Sequence, residues 1–134
     1  MNKIILVVTQ EAGLRKQITM TLDFGDYDLH EAEDGMRGLY LARGLRPDLV
    51  LLDGRLTGEL DGLRMLARIR EDSSLGHTRV IVFRPRGVHQ DAPSDLDADA
   101  CLAEEFSALE LIETVGRLLP REVFGEPPGY DLPP

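Results

Sequence analysis

A doubly wound α/β domain, with five parallel strands and helices on both faces, is the fold this sequence predicts, and three observations predict it. Residues 3–8, Lys-Ile-Ile-Leu-Val-Val, and Leu49–Leu52 are short apolar runs, as strands covered on both faces must be. Strand-like and helix-like patterns alternate along the chain, and the right-handed rule for crossovers then makes the sheet parallel. The 134 residues, 43% hydrophobic and 29% charged, suffice for one core without disulfides or metal and are too few for two.

Taken in order, Lys3–Val8 predicts the first strand, ended by polar Thr9 and Gln10. From Glu11, Leu14, Ile18 and Leu22 recur every four residues and Gly25 follows, which predicts a helix. Tyr27–Ala32 alternates as a strand, Asp34-Gly35 turns, and Met36, Leu39, Leu41 and Ala42 predict a second helix up to Gly44, with Pro47 forbidding its continuation. Leu49–Leu52 delivers Asp53 at a strand's carboxyl end, where an open α/β sheet has its ligand crevice. Leu63, Leu66 and Ile69 predict a third helix to about Asp72, and Val80–Phe83 a fourth strand. Residues 84–95 hold Pro85, Gly87 and Pro93 with few apolar side chains, so a fourth helix is expected to be short or degraded. Ala100–Ala103 predicts a fifth strand. Ser107 with Glu110 is a capping box opening a last helix whose apolar face reads Leu109, Ile112, Val115 and Leu119, ending at Pro120. Five of the 8 prolines fall in the last 15 residues, so 1–120 is expected to be the domain and 121–134 an extended proline-rich tail.

Charge and motifs exclude several classes. A net charge of −9 repels phosphate backbones and anionic lipids, so neither nucleic acid nor membrane is expected as a partner. One cysteine makes no internal disulfide, and with no long apolar span the default location is the cytoplasm. The histidines His30, His77 and His89 lack ligand spacing, and Asp95–Asp99 lacks the glycine and glutamate of a calcium loop, so no metal site is predicted. There is no GxxxxGK[ST] or GxGxxG phosphate loop.

The run Arg46-Pro47-Asp48-Leu49-Val50-Leu51-Leu52-Asp53, with Ile5–Val8 before Leu14-Arg15 and with Asp61-Gly62-Leu63 after, resembles a bacterial response-regulator receiver domain from residue 3 to about 119. The resemblance implies a CheY-like, flavodoxin-like strand order of 2-1-3-4-5, Asp53 as phosphoacceptor, and a divalent cation held beside it by two acidic residues after the first strand. Those two places are Thr9 and Gln10. Glu11, one residue further, is expected to be turned away by the helix it opens. Asp53, a neutral amide and the Arg55 backbone carbonyl offer Mg²⁺ few hard anionic oxygens, so no cofactor is expected unless Asp53 is an active phosphoacceptor.

Two further positions that the family uses to contact the phosphoryl group, a hydroxyl and a lysine, are Arg84 and Glu104 here, and the aromatic switch position is Cys101. Arg84 is expected to pair with Asp53, since a guanidinium forks onto a carboxylate. Glu104 is expected to face water, or else to pair with Arg84, and Cys101 to be a small buried hydrophobe. The 53–62 loop reads one residue longer than the family's, with Thr57 in place of a proline.

The function these residues imply is a stand-alone, non-enzymatic receiver-like domain of two-component phosphorelay signalling, a pseudo-receiver. It would act through a protein partner, a histidine kinase or a downstream signalling protein, with Mg²⁺-dependent phosphorylation at Asp53 weakened or lost. The alternative is an active phosphoacceptor served by a histidine kinase. A flavodoxin-like cofactor-binding protein is the rival from another class, but Thr9-Gln10-Glu11-Ala12-Gly13 puts an acid where the flavin phosphate would sit. Partner, pathway and oligomeric state are left open.

Overall fold

The computed structural model describes residues 2–84 and 97–120, so the helix expected just after Arg84 and the tail at 121–134 lie outside the described residues. Strands β1 (Lys3–Val8), β2 (Tyr27–Ala32), β3 (Leu49–Asp53), β4 (Arg79–Arg84) and β5 (Ala100–Ala103) are joined by helices α1 (Ala12–Leu22), α2 (Gly35–Leu45) and α3 (Gly62–Glu71), with α4 (Ala108–Leu118) following β5. A 3-10 turn at Ser73–Leu75 precedes β4. The strands form one parallel sheet in the order β2-β1-β3-β4-β5, the doubly wound arrangement the alternation requires.

Period-2 alternation divides the core between the two faces of the sheet. Leu6, Val8, Val50, Leu52, Val80 and Val82 pack against α2 and α3. Ile5, Val7, Leu49, Leu51, Ile81 and Phe83 pack against α1 and α4. Each such side chain fully withdrawn from water stabilises the fold by about 1.5–3 kcal/mol. Register also builds the site: Val8 is paired with Leu52, and Asp53 with Phe83. One residue further along β1, Thr9 therefore stands beside Asp53, on the face that also carries Phe83.

The helices begin where side-chain caps allow. Asp34 accepts from the backbone N–H of Arg37, and Asp61 from that of Arg64. At α4 the expected capping box forms: Ser107 accepts from Glu110 N–H while the Glu110 carboxylate accepts from Ser107 N–H. Helix α2 runs one residue past Gly44 and closes on Arg46, whose φ of 51° is left-handed and whose N–H donates to Ala42 O at 2.8 Å.

Helix faces differ from the reading of the sequence at Met36, Leu63, Leu109 and Ile112. On α4 the buried residues are Leu111, Thr114 and Val115, while Leu109 is 63% and Ile112 43% exposed. On α2, Gly35, Gly38, Leu39 and Ala42 face the sheet and Met36 is exposed; on α3, Met65 takes the place expected for Leu63. The cause at α2 is close approach: a Cβ at Gly38 would stand 2.9 to 3.1 Å from Met65 and Val8 side-chain carbons, so glycines form the contact stripe and the larger residues turn outward. Cys101 is exposed rather than buried, because alternation along edge strand β5 sends Leu102 inward and Cys101 out.

Candidate functional site

Three loops at the carboxyl ends of β1, β3 and β5 meet around one carboxylate. Asp53 ends β3 and is only 4% exposed. Its Oδ2 accepts a hydrogen bond from Thr9 Oγ1 at 2.7 Å, and its Oδ1 accepts from the backbone N–H of Arg55 at 2.9 Å. The Arg55 side chain then folds back over the strand end, with Nε 3.5 Å from the same Oδ1. Its Nη2 contacts the carboxylates of both Glu11 and Glu104. One guanidinium thus ties together the loop after β1, the loop after β3 and the end of β5.

Thr9 is fully buried and works in both directions: its hydroxyl donates to Asp53 and accepts from the N–H of Glu11 at 3.2 Å. Arg15 on α1 fixes the same loop by donating to Thr9 O at 2.6 Å while pairing with Glu31 at 3.3 Å. Gln10 is turned sideways, its amide exchanging hydrogen bonds of 3.3 to 3.4 Å with Thr57 across the crevice mouth. The β3–α3 loop then turns at Gly58, with φ of 105°, and closes against the strand at Gly62, where a Cβ would stand 2.9 Å from Asp53 O.

Three expectations are corrected by this geometry. The cation paired with Asp53 is Arg55, and no Asp53–Arg84 ion pair occurs among the described residues. Asp53 is in register with Phe83, so Arg84, one residue on, is directed to the opposite face of the sheet, where it is buried with contacts of its own. Glu104 neither faces open water nor pairs with Arg84; it is three-quarters covered and pairs with Arg55. Glu11 belongs to the site, because it is the N-cap of α1 with extended backbone (φ −87°, ψ 111°) and its side chain is not carried off by the helix. The Arg55 guanidinium and Glu11 were missed in the sequence. Three carboxylates falling at neighbouring strand ends was the signal that a cation had to come from nearby.

The donor set does not suit a hard divalent cation. Mg²⁺ requires near-octahedral oxygen ligands at about 2.0–2.1 Å and favours carboxylates. Here both Asp53 oxygens already accept hydrogen bonds, the positions implied to be acidic are a hydroxyl and an amide bonded elsewhere, and a guanidinium covers the carboxylate. No group of three or more His, Cys, Asp or Glu among the described residues is arranged to hold a metal ion. No described helix is long and apolar enough to cross a membrane.

Comparison with known proteins agrees with this architecture. The sequence profile described as the response regulator receiver domain matches residues 5–115. The chain is 31% identical over 119 residues to the DNA-binding dual master transcriptional regulator RpaA of Synechocystis sp., covering 87% of this chain and 49% of that protein. It is 32% identical over 117 residues to response regulator MprA of Mycobacterium sp. (strain KMS), covering 87% and 50%. The chain spans about half the length of the curated relatives it matches. Among solved structures, NtrX from Brucella abortus superposes with a TM-score of 0.80 at 29% identity, over 89% of this chain and 28% of that one. Chemotaxis response regulator CheY4 of Vibrio cholerae gives 0.80 at 20% identity over 88% and 99%, a likeness of fold alone. With the profile running from β1 into α4 and relatives above 30% identity across most of its length, this chain belongs to the response regulator receiver family of two-component signalling.

Proposed function

We propose that this receiver domain signals through protein–protein contacts, with Mg²⁺-dependent phosphorylation at Asp53 weakened or lost. The observation that carries the reading is the Arg55 guanidinium lying against the carboxylates of Asp53, Glu11 and Glu104. Phosphoryl transfer to an aspartate needs an oxygen lone pair free for in-line attack and a cation that neutralises the incoming dianion. An arginine fixed by three carboxylates supplies charge without open coordination positions, and it lies against the Asp53 oxygen that also accepts the Arg55 N–H. The domain itself is non-enzymatic in this reading and needs no cofactor. Its partner is a histidine kinase or a downstream signalling protein, which places it in the cytoplasm. The net charge of −9 supports a protein rather than nucleic acid as what this domain touches.

A second reading, an active phosphoacceptor, is favoured by Asp53 itself, which keeps the strand-end position at the crevice. Incubation with Mg²⁺ and acetyl phosphate, followed by intact mass, separates the two. The expected result is a slow, substoichiometric adduct that becomes faster in Arg55→Met. A rapid, stoichiometric adduct in the parent protein that disappears in Asp53→Asn would establish the second reading instead.

A further inference from the structure

The C-terminal end of α1 and the outer side of α4 do not close on each other. Between them lies a groove of about 430 Å³ whose lining includes Leu22, Phe24, Tyr27, Ile112, Gly116 and Leu119. Its walls carry apolar side chains left in water, Phe24 being 85% exposed and Ile112 nearly half. At Gly116 there is open space where a Cβ would stand, which keeps the α4 side of the groove clear. Apolar surface gathered in one concave place, rather than scattered singly, marks a contact surface.

The chain supplies an occupant of matching chemistry. Leu119 forms part of the groove wall and Pro120 ends the described chain next to it, so the described structure stops at the groove's own rim. The next residues in the sequence are Arg121-Glu122-Val123-Phe124-Gly125, with an apolar pair four and five positions past Leu119. Five extended residues span up to about 17 Å, enough to turn back across the groove. A segment tethered this closely meets its site at an effective concentration in the millimolar range, so even a weak apolar contact is populated.

We propose that Val123 and Phe124 dock in cis into the groove between α1 and α4. In this arrangement their side chains cover Phe24, Tyr27 and Ile112, the apolar surface that the groove leaves in water. This surface lies away from the Asp53 crevice, so the proposal stands or falls independently of how that crevice is used.

The test is NMR on the full chain and on two variants, Phe124→Ser and Tyr130→Ser, neither of which alters a described core residue. The expected result is contacts from the Phe124 ring to the methyl groups of Leu22 and Ile112. Amide shifts over residues 22–27 and 112–119 should move in Phe124→Ser and stay in place in Tyr130→Ser, and the contacts should be independent of protein concentration. Absence of ring-to-methyl contacts, or shift changes in Phe124→Ser confined to residues 121–128, overturns the proposal. Contacts seen only between differently labelled copies also overturn it and assign the groove to a second molecule of this chain. Groove shifts produced by Tyr130→Ser and not by Phe124→Ser overturn the choice of segment.

Discussion

At the scale of single residues, the chemistry of the crevice depends on which side chain satisfies Asp53. A buried carboxylate must be hydrogen-bonded or paired, and Asp53 is both, through Thr9, the Arg55 backbone and the Arg55 guanidinium. Thr9 is the least replaceable of these, because its hydroxyl is fully buried and also receives the Glu11 N–H. Thr9→Val keeps the shape, removes the donor to Oδ2 and strands the Glu11 N–H. It should cost about 1–3 kcal/mol, read as a lower urea midpoint with unchanged slope. The places of Asp53 and Thr9 at strand ends could be read from the sequence, because strand patterning sets them, but the hydrogen bond between them could not. The partner of Asp53 could not: Arg84 and Arg55 are both arginines within a residue or two of a strand end. Only the register of β3 with β4 and the fold-back of a side chain two residues past Asp53 decide between them.

At the scale of elements, strand boundaries were readable nearly to the residue and helix faces were not. A buried parallel strand announces itself by a continuous apolar run, which is why β1, β3 and β4 stand where the runs do. An amphipathic helix with large apolar residues on more than one side offers competing stripes, as α4 does with Leu109, Leu111, Ile112 and Leu118, and only the sheet beneath selects one. Electrostatics also acts at this scale, at the entry to β5. Asp99 accepts from Arg70 Nη2 at 2.7 Å and from the Val80 N–H at 2.7 Å, with Arg79 Nη1 at 3.3 Å, so it fastens β5 to β4 and to the end of α3. Burial alone would raise the Asp99 pKa, but the Arg70 and Val80 hydrogen bonds and the nearby Arg79 outweigh it and hold the carboxyl below its ordinary range. The folded state therefore binds fewer protons here than the unfolded chain. The stability gained is fully present above about pH 4 and is lost as the pH falls through the folded pKa. Asp99→Asn should make the acid limb of stability shallower below about pH 4 in urea titrations run across that range. Part of the limb remains, since Asp72, bonded by the Ser74 hydroxyl and N–H, is also held low.

For the whole molecule, the division of the core into two clusters on opposite faces of one sheet sets how loss of a single side chain is felt. Strands β1, β3 and β4 have neighbours on both edges, whereas β2 and β5 each pair along one. Burial follows the same gradient, complete along β3 and partial along most of β2. Local opening draws on the least-packed elements first, so amides of β2 and β5 should exchange with solvent through partial unfolding, and those of β1, β3 and β4 only through global unfolding. A substitution in the centre then acts on the molecule as a unit. Leu51 is fully buried in β3, packed in the cluster that α1 and α4 cover. Truncation to alanine removes about 2–5 kcal/mol from a total stability on the order of 5–15 kcal/mol. Leu51→Ala should therefore lower the urea midpoint and accelerate exchange of all the β1, β3 and β4 amides together, measured by mass spectrometry of peptides from each strand. If exchange accelerated in β3 alone, the two clusters would not be one cooperative core, and the sheet would not be the element that binds them.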